Sequence, residues 1–190
     1  MKQVIILNAP PHSGKDTIAD LLVKNFNATK QEFKEALYEA TANHYGFDIN
    51  TYKALATNRI LKDSEETSFF EEEGKTYRQG LIHVSENIIK PMYGADYFGV
   101  KAARKLVDGI NAFSDGGGWW PELAPLAEVA DQVIICRLYR NGYTFAGDSR
   151  DYYSKTTMPQ HLKSNTKIYD IHLEENKPLA AVDAIEGLLK

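Results

Sequence analysis

A single cysteine, Cys136, stands in a chain of 190 residues, so no disulfide can close within it, and a reducing, cytoplasmic setting is expected. Long apolar runs are missing too. Residues 4–7 and 133–136 are the longest, far short of the ~18 residues of a membrane span. The apolar stretch before Asn8 is also shorter than the core of a secretory leader, about 7–15 residues, so neither export nor a membrane partner is expected. Glycine (13) and proline (7) are too sparse for a low-complexity chain, and aromatics, at 11%, are too frequent for a disordered one. Basic charge is not in excess: the net charge is −4 and the pI about 5.8. That balance argues against a broad nucleic-acid-binding face, and no stable nucleic-acid partner is expected. What remains, 43% hydrophobic and 25% charged residues, is the composition of a soluble globular protein whose length fits one domain over 1–190.

Val4, Ile5, Ile6 and Leu7 are continuously apolar, as in a strand buried on both faces. A turn-rich stretch over 8–14 follows, and the period then changes: Ile18, Leu21, Leu22 and Phe26 recur at helical spacing. The chain thus opens strand, loop, helix, half of a βαβ unit. Further strands are predicted over 29–33, 110–114, 132–138 and 167–173. Helices are predicted over 35–45, 51–61, 95–107, 119–130 and 178–189, and one from Thr76 to about 89, stopped by Pro91. Glu71, Glu72 and Glu73 read as a solvated run, and 141–164 as irregular chain rich in polar and aromatic residues. Strands alternating with helices imply a parallel sheet covered on both faces.

The loop between the first strand and helix carries the chemistry: Ala9, Pro10, Pro11, His12, Ser13, Gly14, Lys15, Asp16, Thr17. It matches the second glycine and the lysine of the phosphate-binding pattern G-x-x-x-x-G-K-[ST] and departs at Ala9 and Asp16. A small residue suffices at the first position. Loop amides and a helix N-terminus together cradle an anion, Gly14 admits a close backbone approach, and Lys15 can reach the β- and γ-phosphates of a nucleotide. Thr17 sits in the first helical turn, where its hydroxyl and N–H can meet a phosphate oxygen. Asp16 can accept a hydrogen bond from a magnesium-bound water or cap the helix.

Gly14-Lys15-Asp16-Thr17, within the run from Ser13 to Asp20, resembles the phage-type deoxynucleoside monophosphate kinases, P-loop enzymes of the nucleoside monophosphate kinase group. Phe33-Lys34-Glu35-Ala36-Leu37, Thr76-Tyr77-Arg78-Gln79-Gly80-Leu81, Tyr97-Phe98-Gly99-Val100-Lys101 and the C-terminal strand and helix resemble further parts of the family. The resemblance implies a three-layer α/β P-loop kinase fold: a five-stranded parallel sheet in the order 2-3-1-4-5, helices on both faces, and a lid over about 139–164. It implies ATP and Mg²⁺ as cofactors and phosphoryl transfer to a (deoxy)nucleoside monophosphate, held in a helical acceptor region over about 46–108. Arg78 is expected to meet the acceptor phosphate, with Arg59 as a second contact. Arg140, where the chain leaves the fourth strand, and then Arg150 are expected to neutralise the transferring phosphoryl group. Arg137, inside that strand, reads as structural. The setting is the cytoplasm, that of a host if the chain is phage-encoded, and a homodimer is left open. A kinase of another small metabolite, or a nucleotide-binding protein without turnover, are the alternatives.

Asp115 ends an apolar segment at a strand's carboxyl end, where ligands sit in such sheets. It can orient magnesium through water, as Asp16 can, or cap the next helix. The family has an arginine shortly after this Asp; here Gly116, Gly117 and Gly118 follow, which read as an anion nest or a flexible connection. Trp119 and Trp120 suit either a base pocket or core packing, and Tyr139, Tyr143, Tyr152 and Tyr153 a nucleotide pocket.

Overall fold

A computed structural model describes residues 1–58, 60–64 and 76–189. Arg59 and the glutamate run at 71–73 lie outside the described residues. In chain order the main elements are β1 (Lys2–Asn8), α1 (Lys15–Phe26), β2 (Thr29–Gln31), α2 (Glu35–Tyr45), α3 (Ile49–Thr57), α4 (Tyr77–His83), α5 (Lys90–Tyr93), α6 (Tyr97–Ala103), β3 (Gly109–Phe113), α7 (Trp120–Val129), β4 (Gln132–Tyr139), β5 (Thr166–His172) and α8 (Pro178–Leu188). They fall into two compact units, residues 1–33 with 99–190, and residues 34–98.

The first unit is built on a five-stranded, wholly parallel sheet in the order β2-β3-β1-β4-β5, the order expected from the sequence. β1 lies at its centre, and residues 4–7 are inaccessible on both faces. Val4 and Ile6 pack with Phe113, Leu123, Leu126 and Ile135 beneath α7. Ile5 and Leu7 pack with Ile18, Leu22, Val182 and Ile185 beneath α1 and α8. Strand alternation thus sends one apolar run into two cores. α1 ends where Asn27 turns left-handed (φ 53°) and returns its N–H to the Leu22 carbonyl. Between neighbouring edge positions, Arg137 of β4 grips its register partner Asp170 of β5 with two bonds of 2.6 and 2.8 Å. Among the described residues no helix is long and apolar enough to cross a membrane.

The second unit packs α2, α3 and α4 around Leu37, Tyr38, Tyr52, Tyr77, Leu81 and Val84. Two local readings of the sequence are corrected here. Asp48 caps α3, accepting the Thr51 N–H at 2.9 Å, so Ile49 and Asn50 are the helix's first turn rather than its lead-in. Thr76 does cap α4, in a reciprocal box with Gln79, yet Pro91 does not stop the helix. A π-helical segment, Val84–Ile89, widens the turn before it, the Lys90 N–H reaches back to the Ser85 carbonyl, and the chain stays helical through Tyr93. The widened turn relieves the clash a proline makes with the carbonyl four residues back. The unit boundary falls within α6, which is shorter than the predicted 95–107 because residues 104–106 tighten into turns.

Replacing Asp170 by Asn is expected to lower the melting temperature by about 1–3 °C, the effect of a partly exposed pair in a chain this size. The hydrogen bonds from Arg137 hold the Asp170 carboxyl below the usual carboxylate range. Its contribution is therefore in place above pH ~4 and is lost as the pH falls through the lower folded value. Melts of both proteins from pH 7 to 2.5 check this: the gap should close at the acid end.

Candidate phosphate-binding site

The candidate site lies at the carboxyl end of the sheet, beginning with the loop after β1. His12 (φ 62°) and Gly14 (φ 102°) turn left-handed, which curls the chain back on itself. The Ser13 hydroxyl and the Lys15 ammonium both donate to the Pro10 carbonyl, at 2.8 and 3.4 Å. Gly14 is the N-cap of α1, and no side chain caps the helix. The first-turn amides are left to a ligand or solvent, with the positive end of the helix dipole behind them. Ala9 is buried and is not among the residues with positive φ, so the missing first glycine costs the loop no conformation. Lys15 departs from the exposed lysine that a loop cradle suggests: it is 9% accessible, its stem packed down and its ammonium folded over the loop.

Asp16, in the first turn of α1, accepts a 2.7 Å hydrogen bond from the hydroxyl of Ser114, the residue just past β3. In the usual phosphate-loop arrangement a hydroxyl stands on the helix and a carboxylate on the strand; here a hydroxyl–carboxylate pair is present with the two sides exchanged. Asp115 accepts the Phe33 N–H at 3.2 Å. The N-cap of α7 is Trp119, without a side-chain cap, so the expectation that Asp115 caps this helix is corrected. Among the described residues no three His, Cys, Asp or Glu side chains gather as a metal cage. One or two carboxylates with substrate phosphates and water are the usual surroundings of Mg²⁺, so Asp16 and Asp115 fit that ion better than a dedicated cage.

Gly116, Gly117 and Gly118 are neither a nest nor a free connection. A Cβ at Gly118 (φ 85°) would run into the Asp151 carbonyl, one at Gly117 into the Trp119 ring, and one at Gly116 into Ile6. The run exists so that residues 151–153 can lie against it: the Asp151 N–H donates to the Gly117 carbonyl at 3.1 Å. Asn8, fully buried, completes the seam. Its carboxamide donates to the Gly116 and Asp151 carbonyls at 3.2 and 3.1 Å and accepts the Tyr153 N–H at 2.9 Å. Trp120 and Tyr153 go into the core, edge to face at 5.0 Å, while Trp119 keeps 37% exposure. Tyr139 and Tyr152 stack at 4.5 Å, with His172 on the other side of Tyr139 at 5.3 Å.

Of the two arginines expected at the transferring phosphate, Arg140 comes to the loop. An Arg140 Nη1 lies 4.0 Å from where a Cβ on Gly14 would stand, and its guanidinium covers the Tyr143 ring at 4.8 Å. Arg150 is largely buried and doubly bonded to Asp148, at 2.8 and 2.6 Å. Those bonds, with the charges of Asp148, Asp115 and Asp16 around it, raise its already high affinity for its proton. Arg137 is structural, tied to Asp170 and to the Tyr153 carbonyl. Arg78 belongs to the second unit, half-exposed and paired with Asp63 at 2.6 Å. Burial raises the Cys136 thiol to about 12, which removes it as a nucleophile. Sequence reasoning missed Asn8, Ser114 and Asp148. A polar residue closing a buried strand marks the first; nothing in spacing marks the others.

No family model matches the chain, and no curated protein does. Among solved structures it is similar to a shikimate kinase from Aquifex aeolicus, at 14% identity over 98% of this chain and 95% of that one, with a TM-score of 0.38. It is also similar to a putative kinase from Chloroflexus aurantiacus, at 15% identity over 100% and 99% with a TM-score of 0.43. A gluconokinase from Sinorhizobium meliloti shares 12% identity over 99% and 95%, with a TM-score of 0.37.

Gly118→Ala is expected to separate 151–153 from the glycine run, since both the left-handed φ and the Asp151 carbonyl oppose a methyl. The cost should be about 1–3 kcal/mol, as for other overpacked sites. Chemical denaturation measures it, and amide exchange of Asp151 and Tyr153 should rise selectively.

Proposed function

We propose that this protein is an ATP- and Mg²⁺-dependent kinase that moves the γ-phosphoryl group to a (deoxy)nucleoside monophosphate. The observation that carries the reading is the uncapped N-terminus of α1 at the carboxyl end of the central strand, with the Lys15 ammonium folded over its loop and the Arg140 guanidinium at Gly14. Two cations and a row of amides at one spot fit a polyphosphate. The nucleotide supplies the activated phosphoryl group. The chain's part is positioning and charge stabilisation, which phosphoryl transfer chiefly needs.

Lys15 leaves the Pro10 carbonyl for the β- and γ-phosphates, and the amides from Gly14 to Thr17 hold the β-phosphate. Asp16, its orientation fixed by Ser114, and Asp115 would hold magnesium through its water, and that ion would neutralise phosphate charge. Arg140 and Arg150 neutralise the charge that moves between donor and acceptor. Residues 139–164 act as the lid, anchored at 151–153 and closing through the turns before it. For the acceptor, the support is the family-like helix start at Arg78 in the 46–108 region, with Arg59 as second contact. The single buried thiol and the need for ATP agree with the cytoplasm.

The deciding assay is ADP release with a panel of nucleoside monophosphates and of other small hydroxyl and carboxylate acceptors. Release that depends on a monophosphate supports the proposal. Dependence on another acceptor moves it to a different small-metabolite kinase, and ATP binding without release makes the chain a non-catalytic binder. With the acceptor found, Lys15→Ala should lower turnover by at least ~10²-fold, the loss seen when a comparable electrostatic donor is removed.

Arg78→Ala and Arg140→Ala should separate in steady-state kinetics. The first should raise the acceptor KM, because a phosphate contact made equally in ground and transition states is lost. The second should lower kcat and kcat/KM together. Small, identical effects would overturn both placements.

A further inference from the structure

Resting on the kinase reading, we propose that Asp148 is a positioning residue, holding Arg150 with the open edge of its guanidinium available to the transferring phosphoryl group. The Asp148 carboxylate accepts three bonds from Arg150: from the backbone N–H at 3.0 Å, from Nε at 2.8 Å and from Nη2 at 2.6 Å. Both side chains are buried, at 15% and 14% accessible. Asp148 is itself fixed by its N–H to the Phe145 carbonyl at 2.9 Å. This fork-to-fork grip uses one edge of a planar group whose five donors are rigidly arranged. Among the described residues no acceptor meets Nη1, so the opposite edge is kept open.

The grip matters because Arg150 has competitors close by. Asp16 and Asp115 are near enough for their charges to act on it. An arginine loose among three carboxylates would settle on whichever left it best paired. Asp148 removes that freedom, and it leaves Asp16 and Asp115 to the water around magnesium. Arg150 then meets an incoming phosphate already oriented, with little side-chain entropy left to lose.

Charge and position make opposite predictions, which is what makes the idea testable. By Coulomb's law alone, deleting a carboxylate beside a polyphosphate site strengthens anion binding. If Asp148 positions Arg150, deleting it weakens the site. The experiment compares Asp148→Asn, Asp148→Glu, Arg150→Ala and the Asp148→Asn/Arg150→Ala double variant. Each is read by ATP titration calorimetry, by steady-state kinetics with the acceptor the panel identifies, and by a thermal melt.

We expect Asp148→Asn to bind ATP more weakly and to lose about tenfold or more in kcat, as small misplacements near the chemistry do, with the acceptor KM unchanged. Asp148→Glu should recover part of that loss, and it serves as the test should the Asn variant not fold. If Asp148 acts on the phosphate through Arg150, the double variant should match Arg150→Ala alone in ATP binding and kcat. Tighter ATP binding with undiminished kcat in Asp148→Asn would overturn the proposal, as would a double variant that loses the product of the two single effects. Failure of the kinase reading looks different: the unmodified protein itself would neither bind ATP nor release ADP.

Discussion

The carboxamide of Asn8 is the point on which the site's arrangement depends. It stands fully buried at the end of β1, one residue before the phosphate loop starts, and every polar group it carries is spent on backbone. One side holds the Gly116 carbonyl after β3; the other holds Asp151 and Tyr153 in the chain that follows β4. Two segments far from it in sequence are thereby locked to one side chain at the end of β1. A buried amide left half-paired would cost a few kcal/mol, so any arrangement that breaks one of these bonds is disfavoured. Gly118 belongs to the same constraint, since a side chain there would run into the Asp151 carbonyl, while Gly116 and Gly117 leave room for Ile6 and the Trp119 ring.

From that anchor the electrostatics follow. The phosphate loop is curled by two left-handed residues, and its lysine donates to a loop carbonyl. Negative charge is distributed so that no group is wasted: Asp16 on Ser114, Asp115 on the Phe33 amide, Asp148 on Arg150. The site thus holds cations beside carboxylates, with Arg150 tied to Asp148 and the Lys15 ammonium on a loop carbonyl. That is the condition under which a highly charged ligand can replace weak internal contacts with strong ones.

Much of this was legible in the sequence, and the reasons are physical. Residues 4–7 are continuously apolar because β1 is covered on both faces, so the parallel sheet could be read from that run and from the alternation of strands with helices. Gly14 and Lys15 could be placed because a loop that cradles phosphate needs a flexible residue and a cation at that spacing. Pro91 misled because its local preference was overridden by a π-helical turn that nothing in the residue pattern announces. Asp115 misled differently: it has a cap's chemistry, but its acceptor capacity is used across the sheet, on Phe33. Ser114 and Asp148 were invisible for a related reason. Each works through a partner fixed by tertiary structure, Asp16 being 98 residues away in sequence.

The central claim is that the loop from Ala9 to Thr17 is a nucleotide phosphate cradle. A crystal structure of the protein with a non-hydrolysable ATP analogue and Mg²⁺ tests it most directly. The account predicts the β-phosphate on the amides at the start of α1, and the Lys15 ammonium moved from the Pro10 carbonyl to the β- and γ-phosphate oxygens. An analogue bound elsewhere, or bound here with Lys15 still on Pro10, would contradict it.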